Sequence, residues 1–163
     1  MLVSIQAVNN EQHRASGYQE ETCMKKGMTL ALCAAALVLG TVSTAVGAPM
    51  ALDVMDGGKK MMGDPIHGKE IFNRCMVCHS IQAGVNHIGP SLHGVVGRKA
   101  GSIPDFSYSA ANKKSGIVWT EQKIYDYLKN PQAMVPGTKM TFPGLPNPQD
   151  RADVISYLKQ NSP

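Results

Sequence analysis

The chain is short of the features that mark nucleic-acid-binding and repeat proteins. It has one tryptophan among 163 residues, a net charge of only +4, and no arginine-rich run or basic patch interleaved with aromatic residues. So mild a positive charge argues against nucleic-acid binding and favours acidic protein partners. We find no internal repeat and no strand pattern, so solenoid and sheet-based folds are not expected.

Long hydrophobic runs are also scarce, and the single example covers residues 29–46, just after two lysines. A short basic region, an apolar core and a small-residue exit are typical of a secretory signal peptide. We therefore expect residues 24–48 to be a cleaved signal peptide starting at Met24. Residues 1–23 are expected to be an unstructured product of an over-long gene start. An uncleaved membrane anchor is the alternative, because the run approaches the roughly 20 residues that span a bilayer.

The rest of the chain is predicted to be one all-α domain, residues 64–163, after a flexible lead-in at 49–63. Asp64 is a good helix N-cap and Pro65 suits the first helical position, so a first helix should run from there into the Cys75–His79 stretch. Further helices are predicted at 106–114, after Thr120 as far as Pro131, and from Pro148 onward, where Ala152, Ile155 and Leu158 should be buried.

Two long loops, residues 80–102 and 131–147, separate these helices and are rich in glycine and proline. Long stretches without secondary structure are unusual inside a small domain. The domain also has few large apolar side chains, so its core alone would be marginal. A large buried prosthetic group would account for both features.

Cysteine is scarce as well, and its placement indicates the prosthetic group. Of four cysteines, Cys23 and Cys33 precede the domain, which leaves the pair Cys75 and Cys78, directly followed by His79. Cys-x-x-Cys-His is the motif for covalent haem attachment. Two thiols three residues apart on a helical turn can each form a thioether to one vinyl group, and the imidazole that follows can ligate the iron.

Three other interpretations of the cysteine pair compete with haem attachment. A zinc site would need two more Cys or His at paired spacing, and only His87 and His93 follow the motif. A thioredoxin-like redox pair would need a strand-rich fold. A structural disulfide is compatible with export to an oxidising compartment. Haem attachment is favoured over all three.

The second axial ligand is left open by the residues themselves. Met134 and Met140 both lie in the 131–147 loop, which could cover the opposite face of the haem, although methionines more often serve only in packing. His87 and His93 are the histidine alternatives. Met76 lies inside the attachment motif and cannot reach the opposite face.

From Asp64 to Lys159 the chain resembles class I cytochrome c of the mitochondrial and bacterial periplasmic type. The matching stretches fall in the family order: Cys75–His79, Gly89–Gly94, Gly97–Lys99, Phe106–Ser109, Trp119 and Pro136–Met140. The resemblance implies the cytochrome c fold, with three to five helices and long loops wrapped around one covalently bound haem c. It also implies that His79 and Met140 ligate the iron.

The resemblance assigns further residues to the haem site. It implies that the carbonyl of Pro90 accepts a hydrogen bond from His79, that Tyr127 lies near the ligating sulfur, and that a polar set surrounds the haem propionates. This set is Arg98, Tyr108, Ser109, Asn112, Trp119 and Thr138. Gly68, Phe72 and Tyr157 match the packing between the first and last helices.

A haem iron with histidine and methionine ligands has no open position, which predicts an electron carrier and not an enzyme. We expect a periplasmic, monomeric one-electron carrier in a respiratory or photosynthetic chain. Its partners would have acidic docking surfaces, such as an oxidase, a cytochrome bc-type complex or a dehydrogenase. The alternatives are a small haem peroxidase or ligand-binding cytochrome, and a membrane-tethered carrier.

Gln132 and Ala133 stand where the mitochondrial pattern has lysines. We therefore expect fewer basic residues on the surface that docks redox partners.

Overall fold

The computed structural model describes residues 47–161. In chain order these residues form the strands β1 (Met50–Asp56) and β2 (Lys59–Gly63) and the helices α1 (Pro65–Phe72), α2 (Ala110–Lys114), α3 (Glu121–Lys129), α4 (Pro131–Met134) and α5 (Pro148–Asn161). Residues 1–23 and the apolar run of the predicted signal peptide lie outside the described part. Within residues 47–161 no helix is long and apolar enough to cross a membrane.

The prediction of a flexible lead-in at 49–63 is wrong, because β1 and β2 pair there as an antiparallel hairpin. Gly57 and Gly58 connect the strands, and their φ angles of 55° and 83° are those of a two-residue hairpin turn that glycine adopts without strain. Leu52 and Val54 point to the same side of β1 and are both 0% exposed. Burial of this apolar side explains why the segment is ordered, and β1 contacts both α3 and α5.

Helix α1 packs against α5, as the resemblance implied. Asp64 caps α1, and its carboxylate accepts a hydrogen bond from the backbone N–H of Ile66 at 2.8 Å. A Cβ atom on Gly68 would collide with the backbone carbonyl of Asp153, so only glycine permits this close approach. Phe72 and Tyr157 meet at the other end of the contact, with their ring centroids 5.2 Å apart.

The first helix ends earlier than predicted, at Phe72. The chain then continues in helical turns, with hydrogen bonds from Cys75 N to Phe72 O (2.7 Å) and from His79 N to Cys75 O (2.9 Å). The attachment motif is therefore fixed to the end of α1 by backbone hydrogen bonds.

The remaining helices follow the prediction with two differences. Thr120 caps α3 through the N–H of Lys123, and α5 buries Ala152, Ile155 and Leu158. However, α2 covers only the end of the predicted 106–114 helix, and the short helix α4 lies inside the predicted 131–147 loop. Apart from the hairpin, the fold is mostly helical with long loops, as expected.

Candidate functional site

The helices and the two long loops surround a cavity of about 780 Å³. This volume lies within the range of sites for sizeable organic ligands. All twelve predicted site residues line the cavity: Cys75, Cys78, His79, Pro90, Arg98, Tyr108, Ser109, Asn112, Trp119, Tyr127, Thr138 and Met140. The fold thus brings together residues that are spread over more than 60 positions of sequence.

The cysteine pair forms one edge of the cavity. Cys75 and Cys78 are free, half-buried thiols on one helical turn, in which Cys78 N donates to Cys75 O at 3.0 Å. Burial raises the pKa of the Cys75 thiol to about 11, so this group is neutral at physiological pH. Among residues 47–161 no group of three or more His, Cys, Asp or Glu side chains is placed to hold a metal ion. The zinc interpretation thus has no ligand set within that range.

His79 lies on one wall of the cavity with its ring fixed. Its Nδ1–H donates to the backbone carbonyl of Pro90 at 2.7 Å, which leaves Nε2 as the unprotonated nitrogen. Burial lowers the pKa of His79, and the hydrogen bond to Pro90 offsets this only in part. A neutral ring with one oriented nitrogen is the form in which histidine binds metals.

Gly89 is needed beside this ring. A Cβ atom at this position would collide with the His79 imidazole. Sequence reasoning assigned Gly89 only to a matching stretch and gave it no function. Its role depends on how the 80–102 loop folds back over the histidine, which no local sequence signal indicates.

Met140 lines the same cavity, in the loop after α4, and hydrogen bonds hold its backbone on both sides. Its N–H donates to Thr138 Oγ1 at 3.2 Å, and its carbonyl accepts from Gln132 Nε2 at 2.8 Å. The hydroxyl of Tyr127 lies 3.3 Å from the same Thr138 oxygen. Gln132 was noted in the sequence only as a missing lysine, so its hold on Met140 was not predicted.

The other candidate ligands are placed less favourably. Met134 and His93 are not among the cavity-lining residues. His87 does line the cavity, but it is exposed and lies close enough to His79 to lower the pKa of that residue. Its backbone N–H donates to the carbonyl of Gly89 at 2.9 Å, and Gly89 packs against the His79 ring, so His87 belongs to the same wall of the cavity as His79.

A polar wall completes one side of the cavity. The Arg98 guanidinium donates to the carbonyls of His93 (2.7 Å) and Ser91 (2.8 Å), and burial lowers its pKa. Ser109 caps α2 by accepting from the N–H of Asn112 at 3.0 Å. The Asn112 Oδ1 atom is buried without a hydrogen-bond partner. An amide oxygen accepts hydrogen bonds, so this buried atom calls for a donor, such as an ordered water, within the cavity.

The remaining surface is apolar and aromatic. Trp119 and Tyr127 pack with ring centroids 4.8 Å apart, and the lining includes Leu92, Val95, Ile124, Leu128 and Leu158. The cavity has thiols at one edge, an imidazole on one wall, an apolar interior and an arginine on its polar wall. A macrocycle with an apolar body, two vinyl groups and two carboxylates fits this arrangement. The residues present therefore fit haem c.

Comparison with known proteins agrees with this fit. Residues 66–162 match the family model of cytochrome c. The chain is 52% identical to cytochrome c2 of Rhodopila globiformis over 103 residues, which is 63% of this chain and 97% of that protein. It is 49% identical to cytochrome c of Ginkgo biloba over 100 residues, which is 60% of this chain and 88% of the relative.

Two solved structures have a similar fold. Cytochrome cH from Methylobacterium extorquens aligns with a TM-score of 0.57 and 42% identity, covering 60% of this chain and 99% of its own. Cytochrome c2 from Rhodospirillum centenum aligns with a TM-score of 0.58 and 40% identity, covering 62% of this chain and 100% of its own.

These findings confirm the family resemblance, the fold and the cofactor predicted from the sequence. The protein carries one covalent haem c, and it transfers electrons instead of catalysing a reaction. On the match over residues 66–162, this chain belongs to the cytochrome c family.

Proposed function

We propose that the protein is an exported, periplasmic one-electron carrier whose haem iron is ligated by His79 and Met140. One observation carries the proposal: His79, with Nε2 free, and Met140, fixed by backbone hydrogen bonds, line one cavity. Bound there, the haem supplies the one-electron redox couple. The protein supplies the ligands, the covalent attachment and a cavity that limits access of water.

The ligand pair decides between carrier and enzyme. An imidazole and a thioether together leave no open iron position, whereas peroxide chemistry and oxygen binding require one. Methionine with histidine is the axial pair of electron-transferring cytochromes c and raises their reduction potential. Burial acts in the same direction, because the oxidised centre carries the extra positive charge.

The side chains around the cavity hold the cofactor in place. We propose that the thiols of Cys75 and Cys78 each add across one vinyl group to form a thioether. Arg98, Tyr108, Ser109, Asn112, Trp119 and Thr138 are proposed to lie around the propionates. Arg98 supplies the positive charge there, and the side-chain amide of Asn112 supplies an N–H donor, because its Oδ1 atom, like a carboxylate, can only accept.

The rim of the cavity supports docking of a redox protein with an acidic surface, such as an oxidase, a cytochrome bc-type complex or a dehydrogenase. Val77 and Ile88 line the cavity yet are 73% and 81% exposed. Two exposed basic residues line the same cavity: the Arg74 guanidinium lies 5.6 Å from the centroid of the Phe142 ring, and Lys139 Nζ donates to Ser107 O at 3.0 Å. An apolar patch with basic neighbours suits brief, steered encounters of a monomer.

Export is proposed from residues 24–48, which have the order of regions found in a signal peptide. Intact mass and N-terminal sequencing of the protein purified from its natural host would test cleavage. A start near residue 49 supports a free periplasmic carrier. A mature protein that keeps the 29–46 run and stays in the membrane fraction supports the tethered alternative instead.

The ligand proposal is tested with Met140→Ala and the matched control Met134→Ala in haem-loaded protein. Methionine sulfur on ferric haem gives a weak charge-transfer band in the red, which we expect in the unmodified protein and in Met134→Ala. We expect Met140→Ala to lose the band, to lower the reduction potential and to bind carbon monoxide when reduced. An unmodified protein without the band that binds carbon monoxide readily would instead favour the ligand-binding or peroxidase alternative.

A further inference from the structure

The hairpin β1–β2 precedes the region that matches the family model and is hydrogen-bonded to the N-terminal half of α3. The N–H of Asp53 donates to Glu121 Oε2 at 2.6 Å, and the N–H of Met55 donates to Gln122 Oε1 at 2.8 Å. The Tyr125 hydroxyl donates to the carboxylate of Asp56 at 3.0 Å. We call these three contacts the hairpin clamp. They join residues 53–56 of β1 to the first five residues of α3, across 67 to 69 positions of sequence.

Buried apolar residues and an ion pair lie next to the hairpin clamp. Leu52 and Val54 alternate with the clamped residues and are fully buried in the core. Glu121, with 11% of its side chain exposed, also forms an ion pair with Lys159 of α5 at 2.5 Å. Its carboxylate in the first turn is favoured by the helix dipole. One side chain thus connects the hairpin, α3 and α5.

The Tyr125 contact lies over a buried charge. The Arg151 guanidinium is 4.3 Å from the centroid of the Tyr125 ring, and Arg151 is only 3% exposed. Its Nη1 donates to the carbonyls of Leu145 and Pro146 at 2.7 and 2.9 Å. These carbonyls belong to the end of the loop that carries Met140. The contacts from Asp56 to Tyr125 and from Tyr125 to Arg151 therefore connect the hairpin to that loop.

Other residues of α3 contact the Met140 loop directly. Tyr127 reaches Thr138, and Thr138 accepts from the N–H of Met140. Leu145 N donates to Leu128 O at 2.7 Å, which fastens the far end of the loop to the last turn of α3. Movement of α3 would therefore displace both the hydrogen-bond partner of Met140 and the anchor of its loop.

We infer that the hairpin clamp positions α3 and thereby keeps the Met140 loop closed over the haem. Glu121, Gln122 and Tyr125 are the positioning residues. The inference rests on the proposed ligation by Met140. Loosening the clamp should increase the fraction of molecules in which the loop opens and Met140 leaves the iron.

The test uses haem-loaded protein with the double substitution Glu121→Ala/Gln122→Ala, which removes both acceptors of the β1 amides. Tyr125→Phe is a milder second variant that keeps the ring over Arg151. Tyr157→Leu is the control, because it weakens the contact between α1 and α5, where the Tyr157 ring packs against Phe72, and it keeps all three clamp contacts. Unfolding in guanidinium chloride gives each variant's stability, so that clamp and control variants are compared at similar free energies of unfolding.

Two measurements report loop opening. Imidazole binding to the ferric protein requires Met140 to leave, and its apparent affinity scales with the open fraction. We expect the double variant to bind imidazole about fivefold more tightly than the unmodified protein, with a smaller change in Tyr125→Phe and little change in the control. Amide hydrogen exchange should become faster in residues 121–129 and 136–145 of the clamp variants.

The exchange measurement does not depend on iron ligation, so it separates the two proposals. Faster exchange without any change in imidazole affinity would reject Met140 as the ligand and leave the mechanical role of the clamp intact. Unchanged exchange in both clamp variants, or an equal effect in Tyr157→Leu at matched stability, would overturn the positioning role of the hairpin.

Discussion

At the scale of single residues, the site depends on groups that only orient the proposed ligands as much as on those ligands themselves. The carbonyl of Pro90 sets the tautomer of His79, and Gly89 leaves room for its ring. Thr138 and Gln132 hold the backbone of Met140 from two sides. Such orienting contacts tune metal ligands even where they do not touch the metal.

Gly89→Ala tests the packing around His79. The new methyl group has to push the imidazole away from its bond with Pro90, and overpacking of this kind costs about 1–3 kcal/mol of stability. We expect a lower midpoint of unfolding and a changed reduction potential.

Gly84→Ala, in the same loop, is the control, because its Cβ would meet nothing within 4 Å. Its φ of 72° adds backbone strain, so it should lower stability while leaving the potential unchanged. An unchanged potential in Gly89→Ala would contradict the steric role of Gly89.

The sequence indicated the reactive residues of the site better than the residues that orient them. Cys75, Cys78 and His79 form a local motif whose spacing follows from the chemistry of attachment. Residues alone left Met134 and Met140 equivalent, and the family resemblance selected Met140. The contact of Gln132 with Met140 depends on α4, a single-turn helix whose existence no periodic pattern could reveal.

At the scale of elements, helix ends were predictable and the hairpin was not. Asp64 and Thr120 act as caps through local hydrogen bonds, so their sequence signals are strong. Leu52 and Val54 are the fully buried apolar residues of the hairpin, and its order comes from burial against distant helices. The pair Gly57-Gly58 is typical both of hairpin turns and of flexible segments. Burial of Leu52 and Val54 in the core favours the hairpin.

Leu52→Ala measures how much the hairpin contributes to the fold. Leu52 is 0% exposed, and truncating a fully buried leucine costs about 2–5 kcal/mol. Denaturant unfolding should therefore show a large fall in stability. Met55→Ala, on the same strand but with Met55 51% exposed, should change it by less than about 0.5 kcal/mol. Equal, small effects in both variants would mean that the segment does not pack.

The contact between α1 and α5 should respond to pH through His67. Its Nδ1 lies 2.7 Å from the buried carboxylate of Asp153. This hydrogen bond is the main cause that raises the pKa of His67 above 6.5, and the charges of Asp153, Asp150 and Glu70 act in the same direction. A raised pKa means that the fold favours the protonated ring.

The resulting stabilisation is present in full below pH 6.5 and is lost as the pH rises through the higher folded-state pKa. Because the His67 side chain is 45% exposed, solvent screening keeps the effect below about 1 kcal/mol. We expect His67→Gln to reduce the loss of thermal stability between pH 5 and pH 8, and His93→Gln, at an exposed histidine, to leave it unchanged. A steeper pH dependence in His67→Gln would contradict the assigned sign.

At the scale of the whole molecule, the size of the cavity leads us to expect that the fold depends on the haem. At about 24 cal/mol per Å³, an empty volume of 780 Å³ would cost on the order of 20 kcal/mol. This is an upper figure, since one side of the cavity opens to solvent. Typical domains are stable by about 5–15 kcal/mol, so the haem has to be counted as part of the core.

Cys75→Ser/Cys78→Ser, purified without haem, should therefore lose its cooperative unfolding transition. Calorimetry and near-ultraviolet circular dichroism would measure this loss. Met76→Ser is the control: it changes an exposed residue of the same motif, keeps both thiols and should unfold cooperatively. A sharp transition in the haem-free variant would show that the protein core is sufficient by itself.

Docking depends on the whole surface, and few exposed basic residues line the cavity together with the exposed apolar residues Val77 and Ile88. We expect electron transfer to an oxidase with an acidic docking surface to slow modestly as ionic strength rises, since screening shortens the range of attraction to about 8–10 Å. Lys139→Gln should weaken this dependence, and Lys60→Gln, in the hairpin, should not. A rate that is independent of salt would exclude electrostatic steering.

The hairpin also bears on how the protein behaves when crowded. A two-stranded ribbon ordinarily offers unpaired main-chain groups on both outer borders, where strands of other molecules can add. Here Glu121 and Gln122 accept hydrogen bonds from backbone amides of β1. On β2, Gln149 Nε2 donates to the carbonyl of Met62 at 2.8 Å. Neighbouring copies therefore meet side chains where they would otherwise find free hydrogen-bonding groups, which discourages fibril growth at high concentration.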